Sequence, residues 1–224
     1  LWAGIAVGVL FGAEFALIFL GLDYTTAARA TLMVNTMPFW VLIGGHFVLG
    51  ERITMQKFWG LALAFGGVAL VFSDKLSLPG PEALRGDLMC LAGGVLWAAT
   101  TLVIKGSRLS VASAEKTLLY QLVVSAVLLV PFVPLAGPLL REVTPLATGA
   151  LLFQAIYVVA FTYMLWFWLM RRYPASGLSS FAFLTPAFGV LCAGLVLNEP
   201  LSMRIFAALV LIAVGLLLVN RPLR

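Results

Sequence analysis

The chain has 224 residues, of which 62% are hydrophobic and 10% charged, with a formal net charge of +5. A soluble domain carries roughly 25% charged residues, so an aqueous globule is excluded. The basic residues are scattered rather than gathered on one continuous segment, which excludes a nucleic-acid footprint.

Eight apolar runs, each of a length to cross about 30 Å of hydrocarbon, follow in chain order: Trp2 to Leu22, Ala28 to Leu49, Phe58 to Ser73, Leu88 to Ile104, Leu118 to Pro138, Gly149 to Met170, Leu178 to Leu197 and Ile205 to Asn220. In lipid every backbone polar group needs a partner within the protein, so each run is expected to be helical. Unbroken apolarity without period-two alternation argues against a β-barrel. The expected fold class is all-α, a polytopic membrane helix bundle.

The first run contains Glu14, an acid deep inside a helix, where a charge at the bilayer centre costs about 2.5–3.5 kcal/mol. It is expected to face a cavity. Three roles are open to it: binding a cationic or amino group, carrying a coupling proton, or making an interhelical hydrogen bond. The second run holds Asn35, Pro38 and Trp40, then His46 close to Glu51 and Arg52. Proline lacks an N–H and clashes with the carbonyl four residues earlier, so Pro38 should free the carbonyl of Val34. His46 reads as a partly solvated boundary residue or as a group titrating near neutral pH. Gly60, Gly66 and Gly67 in the third run and Gly215 in the eighth read as close-packing positions.

In the fourth run Trp97 and Thr101 lie one turn apart, and in the sixth Gln154 and Tyr157 are similarly close. With Asn35 and Trp40 they suggest a moderately polar, aromatic-lined pocket suited to an amphipathic metabolite, although each aromatic alone is as compatible with packing or interfacial anchoring. Pro186 in the seventh run should free the carbonyl of Ala182. The two cysteines, Cys90 and Cys192, sit inside apolar runs without CxxC spacing and read as small buried hydrophobes. No metal, cofactor or nucleotide motif occurs, and HExxH and GxSxG are absent as well. These absences count against an enzyme.

If the first helix starts in the cytoplasm, that side collects Arg52, Lys57, Lys105, Arg108, Lys116, Arg171, Arg172, Arg221 and Arg224. The other side collects Arg29, Lys75, Arg85, Arg141 and Arg204. This asymmetry follows the positive-inside rule and puts the C-terminus in the cytoplasm.

Residues Pro38 to Phe72 align without gaps to Pro186 to Asn220 at a shift of 148. Pro38 meets Pro186, Glu51 meets Glu199, Met55 meets Met203, Phe58 meets Phe206 and Gly67 meets Gly215; with one residue of slippage Tyr24 meets Tyr173 and Glu14 meets Tyr163. Five helices separate corresponding points, so the second copy is upside down relative to the first, a build recurrent among secondary transporters. Residues 1–74 are then the last three helices of a first repeat, 75–86 the inter-repeat loop, and 87–224 a five-helix second repeat. Subtracting the shift puts the expected start of a complete first copy about 60 residues before Leu1. Glu51 and Glu199 fall in short loops at opposite faces, and each is expected to cap or pin the helix that follows it.

The stretches LDYTTAARA (Leu22 to Ala30), VLGERIT (Val48 to Thr54), GDLMCLAGGVLWA (Gly86 to Ala98), RRYPASGLSSFAFLTP (Arg171 to Pro186) and LNEPLS (Leu197 to Ser202) together resemble the EamA-type branch of the drug/metabolite transporter superfamily. The resemblance covers nearly the whole chain. It implies ten helices in two inverted repeats, here the third to the tenth, with no cofactor, in the bacterial inner (plasma) membrane. It also implies export of a small metabolite or drug by alternating access, with the bilayer and a small-molecule solute as partners. The glycine-bearing third and eighth helices would be peripheral, available for a homodimer. The alternatives are a membrane enzyme, a channel and a non-transporting interaction protein. Cavity candidates are Glu14, Asn35, Pro38, Trp40, Trp97, Thr101, Gln154, Tyr157, Tyr163 and Pro186.

Overall fold

A computed structural model describes residues 1–76, 80–136, 143–197 and 203–221. Among these residues there is no strand, and eight helices are long and apolar enough to span a membrane: α1 (Trp2–Leu22), α2 (Ala27–Leu49), α3 (Met55–Phe72), α4 (Ala83–Gly106), α5 (Ala114–Val133), α6 (Pro145–Met170), α7 (Ala175–Cys192) and α8 (Met203–Asn220). The chain is an all-α integral membrane bundle.

Local chemistry sets the helix ends. The hydroxyls of Thr26, Thr54, Ser113 and Thr144 accept backbone N–H bonds from Arg29, Lys57, Lys116 and Ala147, the usual answer to the unpaired amides of a first turn. Gly50, at φ 68°, ends α2 in the left-handed region, which glycine enters without steric penalty. Helix α4 starts five residues earlier than its apolar run because its first turns are polar for a reason. Asp87 accepts bonds from the Thr25 hydroxyl (2.7 Å) and Arg29 Nε (3.2 Å) and pairs with the Arg29 guanidinium, while Arg85 stacks over the Tyr24 ring.

Helix α4 lies across α1 and α2, and α5 covers the other side of α1. Glycines permit these approaches. An added Cβ at Gly86 would lie 2.6 Å from the Gly21 carbonyl oxygen, and one at Gly4 would lie 2.6 Å from the Tyr120 ring. Small residues let helix backbones close on one another in lipid, where no hydrophobic force drives helices together.

Helices α3 and α8 form the most extensive helix pair. Gly60 abuts Gly215 and Val219, whereas Gly67 abuts Ala208 and Ile212, so the pair runs antiparallel. A shift of 148 residues turns Gly60 into Ala208 and Gly67 into Gly215, so the contact Gly60–Gly215 maps onto Ala208–Gly67. Three of the four glycines expected at close-packing positions are therefore used inside the chain, and Gly66 faces open space. Leu61, Ala64 and Val68 of α3 pack with Ile212, Leu216 and Val219 of α8 and with Phe183 of α7 in one buried cluster.

Two helices are broken at corresponding places. Helix α2 is regular over Ala27–Val34, turns at Asn35 and Thr36, and resumes over Met37–Leu49 with Pro38 in its first turn. Helix α7 is regular over Ala175–Ser180, tightens into a 3-10 turn at Phe181–Phe183 and resumes over Leu184–Leu197. Proline fits a first turn because its missing N–H would have had no helical partner there.

Candidate functional site: a central cavity with two unpaired polar atoms

The breaks in α2 and α7 border a cavity of about 450 Å³. Helix α1 contributes Phe11, Glu14, Phe15 and Ile18; α2 contributes Val34; α4 contributes Trp97, Thr100, Thr101 and Ile104; α5 contributes Gln121. Thr162, Tyr163, Trp166 and Phe167 of α6 and Phe181, Ala182 and Thr185 of α7 complete the wall. Val34 and Ala182 are the residues four before Pro38 and Pro186, and they are 148 apart. Both residues line the cavity, so the interrupted stretches of the two helices border the same space.

Glu14 is 5% exposed and Gln121 3% exposed, yet Glu14 Oε2 and Gln121 Oε1 have no hydrogen-bond partner among the described residues. Leaving a buried acceptor unsatisfied costs about 1–3 kcal/mol, more for a charged group. Nothing basic lines the cavity. Aromatic rings supply much of the remaining wall: Phe11 packs on Phe15 at 4.8 Å between centroids and meets the edge of Tyr163 at 6.0 Å.

Of the ten residues singled out from the sequence, Glu14, Trp97, Thr101 and Tyr163 come together in this wall. Pro38 and Pro186 are buried just beside it, next to Thr185 in the second case. Asn35 is buried but turns back on its own helix, its Nδ2 donating to the Thr31 carbonyl at 2.8 Å. Trp40 is partly exposed and donates through Nε1 to the Thr36 hydroxyl at 3.1 Å. Gln154 and Tyr157 lie outside the wall on the exposed face of α6, where Tyr157 stacks between Phe153 at 5.1 Å and Phe161 at 5.6 Å. Sequence reasoning passed over Gln121, Thr100, Trp166 and Phe181. Gln121 had a readable signal, an amide one turn inside an apolar run, which is the same anomaly that marked Glu14.

A second hollow of about 860 Å³ opens at the end of the bundle holding the α2–α3 link and Arg221, lined by Lys57, Tyr173, Ser176, Gly177, Asn220 and Arg221 among others. Trp166 and Phe181 belong to both walls. Beside this hollow Glu51 does more than pin the helix that follows it: its carboxylate pairs with Lys57 of α3 at 3.9 Å, the cap of α3 being Thr54. It accepts from the backbone N–H groups of Ala175 (2.8 Å) and Ser176 (3.2 Å) and from the Ser176 hydroxyl, while Lys57 Nζ donates to Ser176 Oγ at 2.9 Å. The acid thus holds the start of α7, a helix 124 residues away, and its counterpart Glu199 lies outside the described residues. At the opposite end Asp87 and Arg29 join α4 to α2. His46 Nδ1 donates to the Glu51 carbonyl oxygen, 3.0 Å away, at the exposed helix end. Cys90 is buried as expected, but Cys192 is exposed, because it faces outward from α7, where lipid accepts a small hydrophobe as readily as a protein core does.

Residues 1–73 and 84–221 match the EamA-like transporter family. The chain is 30% identical over 204 residues to an "Uncharacterized transporter" of Archaeoglobus fulgidus, a match covering 88% of this chain and 69% of that protein. It is 26% identical over 218 residues to the "Probable amino-acid metabolite efflux pump" of Escherichia coli, covering 91% and 71% respectively. Another relative, the Bacillus subtilis "Uncharacterized transporter YvbV", is 29% identical and is spanned over 65% of its length. A solved crystal structure superposes with a TM-score of 0.79 at 20% identity, covering 98% of this chain and 77% of that one, a likeness of fold. With a family match across both halves of a bundle of eight membrane-spanning helices, the chain belongs to the EamA-like transporter family.

Proposed function

We propose that the protein is a secondary carrier that exports a small amphipathic metabolite or drug, its two inverted halves rocking about the central cavity. The observation that carries this reading is the convergence of Val34 and Ala182, related by the 148-residue shift and placed at the breaks of their helices, on one cavity that also holds Glu14. Interrupted helices at matching positions of two halves are the strongest sequence pointer to a carrier's binding site. Support for inversion comes from the antiparallel contacts of α3 and α8, which exchange under the same shift. Support for export comes from the word efflux in the name of the Escherichia coli relative.

In this scheme the end bearing Lys57, Lys105, Arg108, Lys116, Arg171 and Arg221 faces the cytoplasm, and the larger hollow is the cytoplasmic vestibule. Trp166 and Phe181 stand between vestibule and cavity. The Glu51 clasp on α7 and the Asp87–Arg29 pair sit at opposite ends, so each end has a polar contact to make or release as the halves rock.

Counterflow in proteoliposomes tests the reading. Full-length protein preloaded with an unlabelled metabolite mixture should accumulate a labelled member of the mixture transiently and saturably, and Glu14→Gln should lower that rate about tenfold, the effect of removing roughly 1.4 kcal/mol of binding. Uptake that is linear in solute concentration, or product formed without net movement, overturns it.

A further inference from the structure

We propose that the central cavity selects organic ammonium ions, with Glu14 and Gln121 taking the N–H groups and the aromatic wall taking the apolar body. This inference rests on the cavity being the solute site. It goes further, because the wall's chemistry is unequal to most solutes.

Glu14 Oε2 and Gln121 Oε1 are both acceptors, both buried, and both without a partner among the described residues. They come from different helices, α1 and α5, and line the same space. A ligand that satisfies them must bring donors. A carboxylate, phosphate or sulfonate brings only acceptors and would be repelled by Glu14. An alcohol brings one donor, and a primary or secondary ammonium brings at least two together with the counter-charge.

Charge decides the matter more strongly than hydrogen-bond count. Among the described residues no Lys, Arg or His lines the cavity, and the nearby cations are committed elsewhere. Lys57 donates to Ser176 beside Glu51, Lys105 donates to the carbonyls of Met170 (2.5 Å) and Tyr173 (2.6 Å), and Arg29 is paired with Asp87. An ionised Glu14 therefore has no countercharge among the described cavity residues, and a charge-assisted bond from a bound ammonium is roughly twice as strong as a neutral one. The rings of Phe11, Trp97, Tyr163 and Trp166 line the same cavity. Aromatic faces attract cations and offer nothing comparable to anions.

Calorimetry with three probes of closely matched size tests this: phenethylamine, 2-phenylethanol and phenylacetate, titrated into the full-length protein in detergent. The amine should bind about tenfold or more tightly than the alcohol, a difference of roughly 1.4 kcal/mol, and the carboxylate should bind most weakly. The N,N,N-trimethylated amine, which keeps the charge but has no N–H, should lose about tenfold. Glu14→Gln should bring amine and alcohol to within about threefold, with the alcohol's own affinity retained as proof that the cavity is intact. Gln121→Leu should weaken the amine about threefold and leave the alcohol close to its original affinity. Alcohol or carboxylate binding as tightly as the amine in the unaltered protein overturns the ammonium class and leaves the solute cavity standing. An amine preference that survives Glu14→Gln overturns the assignment of Glu14. No heat from any probe overturns both the selectivity and the cavity reading.

Discussion

Helices α1 and α6 correspond under a shift of 149 residues, which aligns Glu14 with Tyr163, yet they solve packing in opposite ways. Along α1 the stripe Gly4, Gly8 and Gly12 is buried against Tyr120, Val124, Ser125 and Leu128 of α5. The same shift turns that stripe into Phe153, Tyr157 and Phe161, which are exposed and stacked on one another. Glycine stabilises a helix contact by letting backbones approach. An aromatic ladder satisfies itself along its own helix and leaves the backbone at a distance. Helix α1 therefore presents a close-packed face to α5, and α6 a bare, ring-covered one.

The comparison can be broken at three points, from the largest effect to the smallest. Asp87 holds the start of α4 over α1 and α2, and it is paired with a guanidinium whose side chain is 15% exposed. Removing one partner of a buried ion pair leaves the other uncompensated, so Asp87→Asn should cost about 3 kcal/mol and lower Tm in detergent by about 6–12 °C. A shift within experimental scatter means that α4 is held by its glycine contacts alone. Next, Gly8→Leu should push α5 away from α1, because a Cβ there would lie 2.7 Å from the Tyr120 carbonyl oxygen. Overpacking of this kind costs about 1–3 kcal/mol, a Tm loss of about 2–12 °C; Gly8→Ser, which adds the same Cβ, should lose part of it. Smallest is Tyr157→Leu on the bare face, where a change away from any packed contact should stay within about 0.5 kcal/mol. A large Tyr157 effect, measured by the same melts, places that ring in a contact between copies.

Much of the site was legible before any coordinates. The spans stood out because hydrocarbon forbids unpaired backbone, so each apolar run had to be a helix. Glu14 stood out because an acid at that depth is costly, and Pro38 and Pro186 because a ring without an N–H interrupts the ladder wherever it falls. Gln121 obeys the same rule as Glu14 and could have been read the same way. Gln154 and Tyr157 could not. They belong to a nine-residue π-helical stretch, Gln154–Thr162, in which hydrogen bonds close one residue later than in an α-helix. Both lie on the face of α6 that is left exposed, and which face of a helix meets the cavity is set by its packing against neighbours.

By itself the sequence determined the class of solvent, the number and order of helices, the family resemblance and the 148-residue correspondence, because these depend on composition and local covalent constraints. Tertiary structure alone decided which side chains share a space. Glu14 and Gln121 are 107 residues apart in the chain, by subtraction of their numbers, and meet one cavity only because Gly4, Gly8 and Gly12 bring α5 against α1. Glu51 grips α7 as well as pairing with Lys57 of its own following helix, because the tertiary fold brings the amides of Ala175 and Ser176 within 2.8 and 3.2 Å of it. Burial and partnership are properties of helix packing, and packing depends on angle and distance between segments that the linear order of residues does not contain.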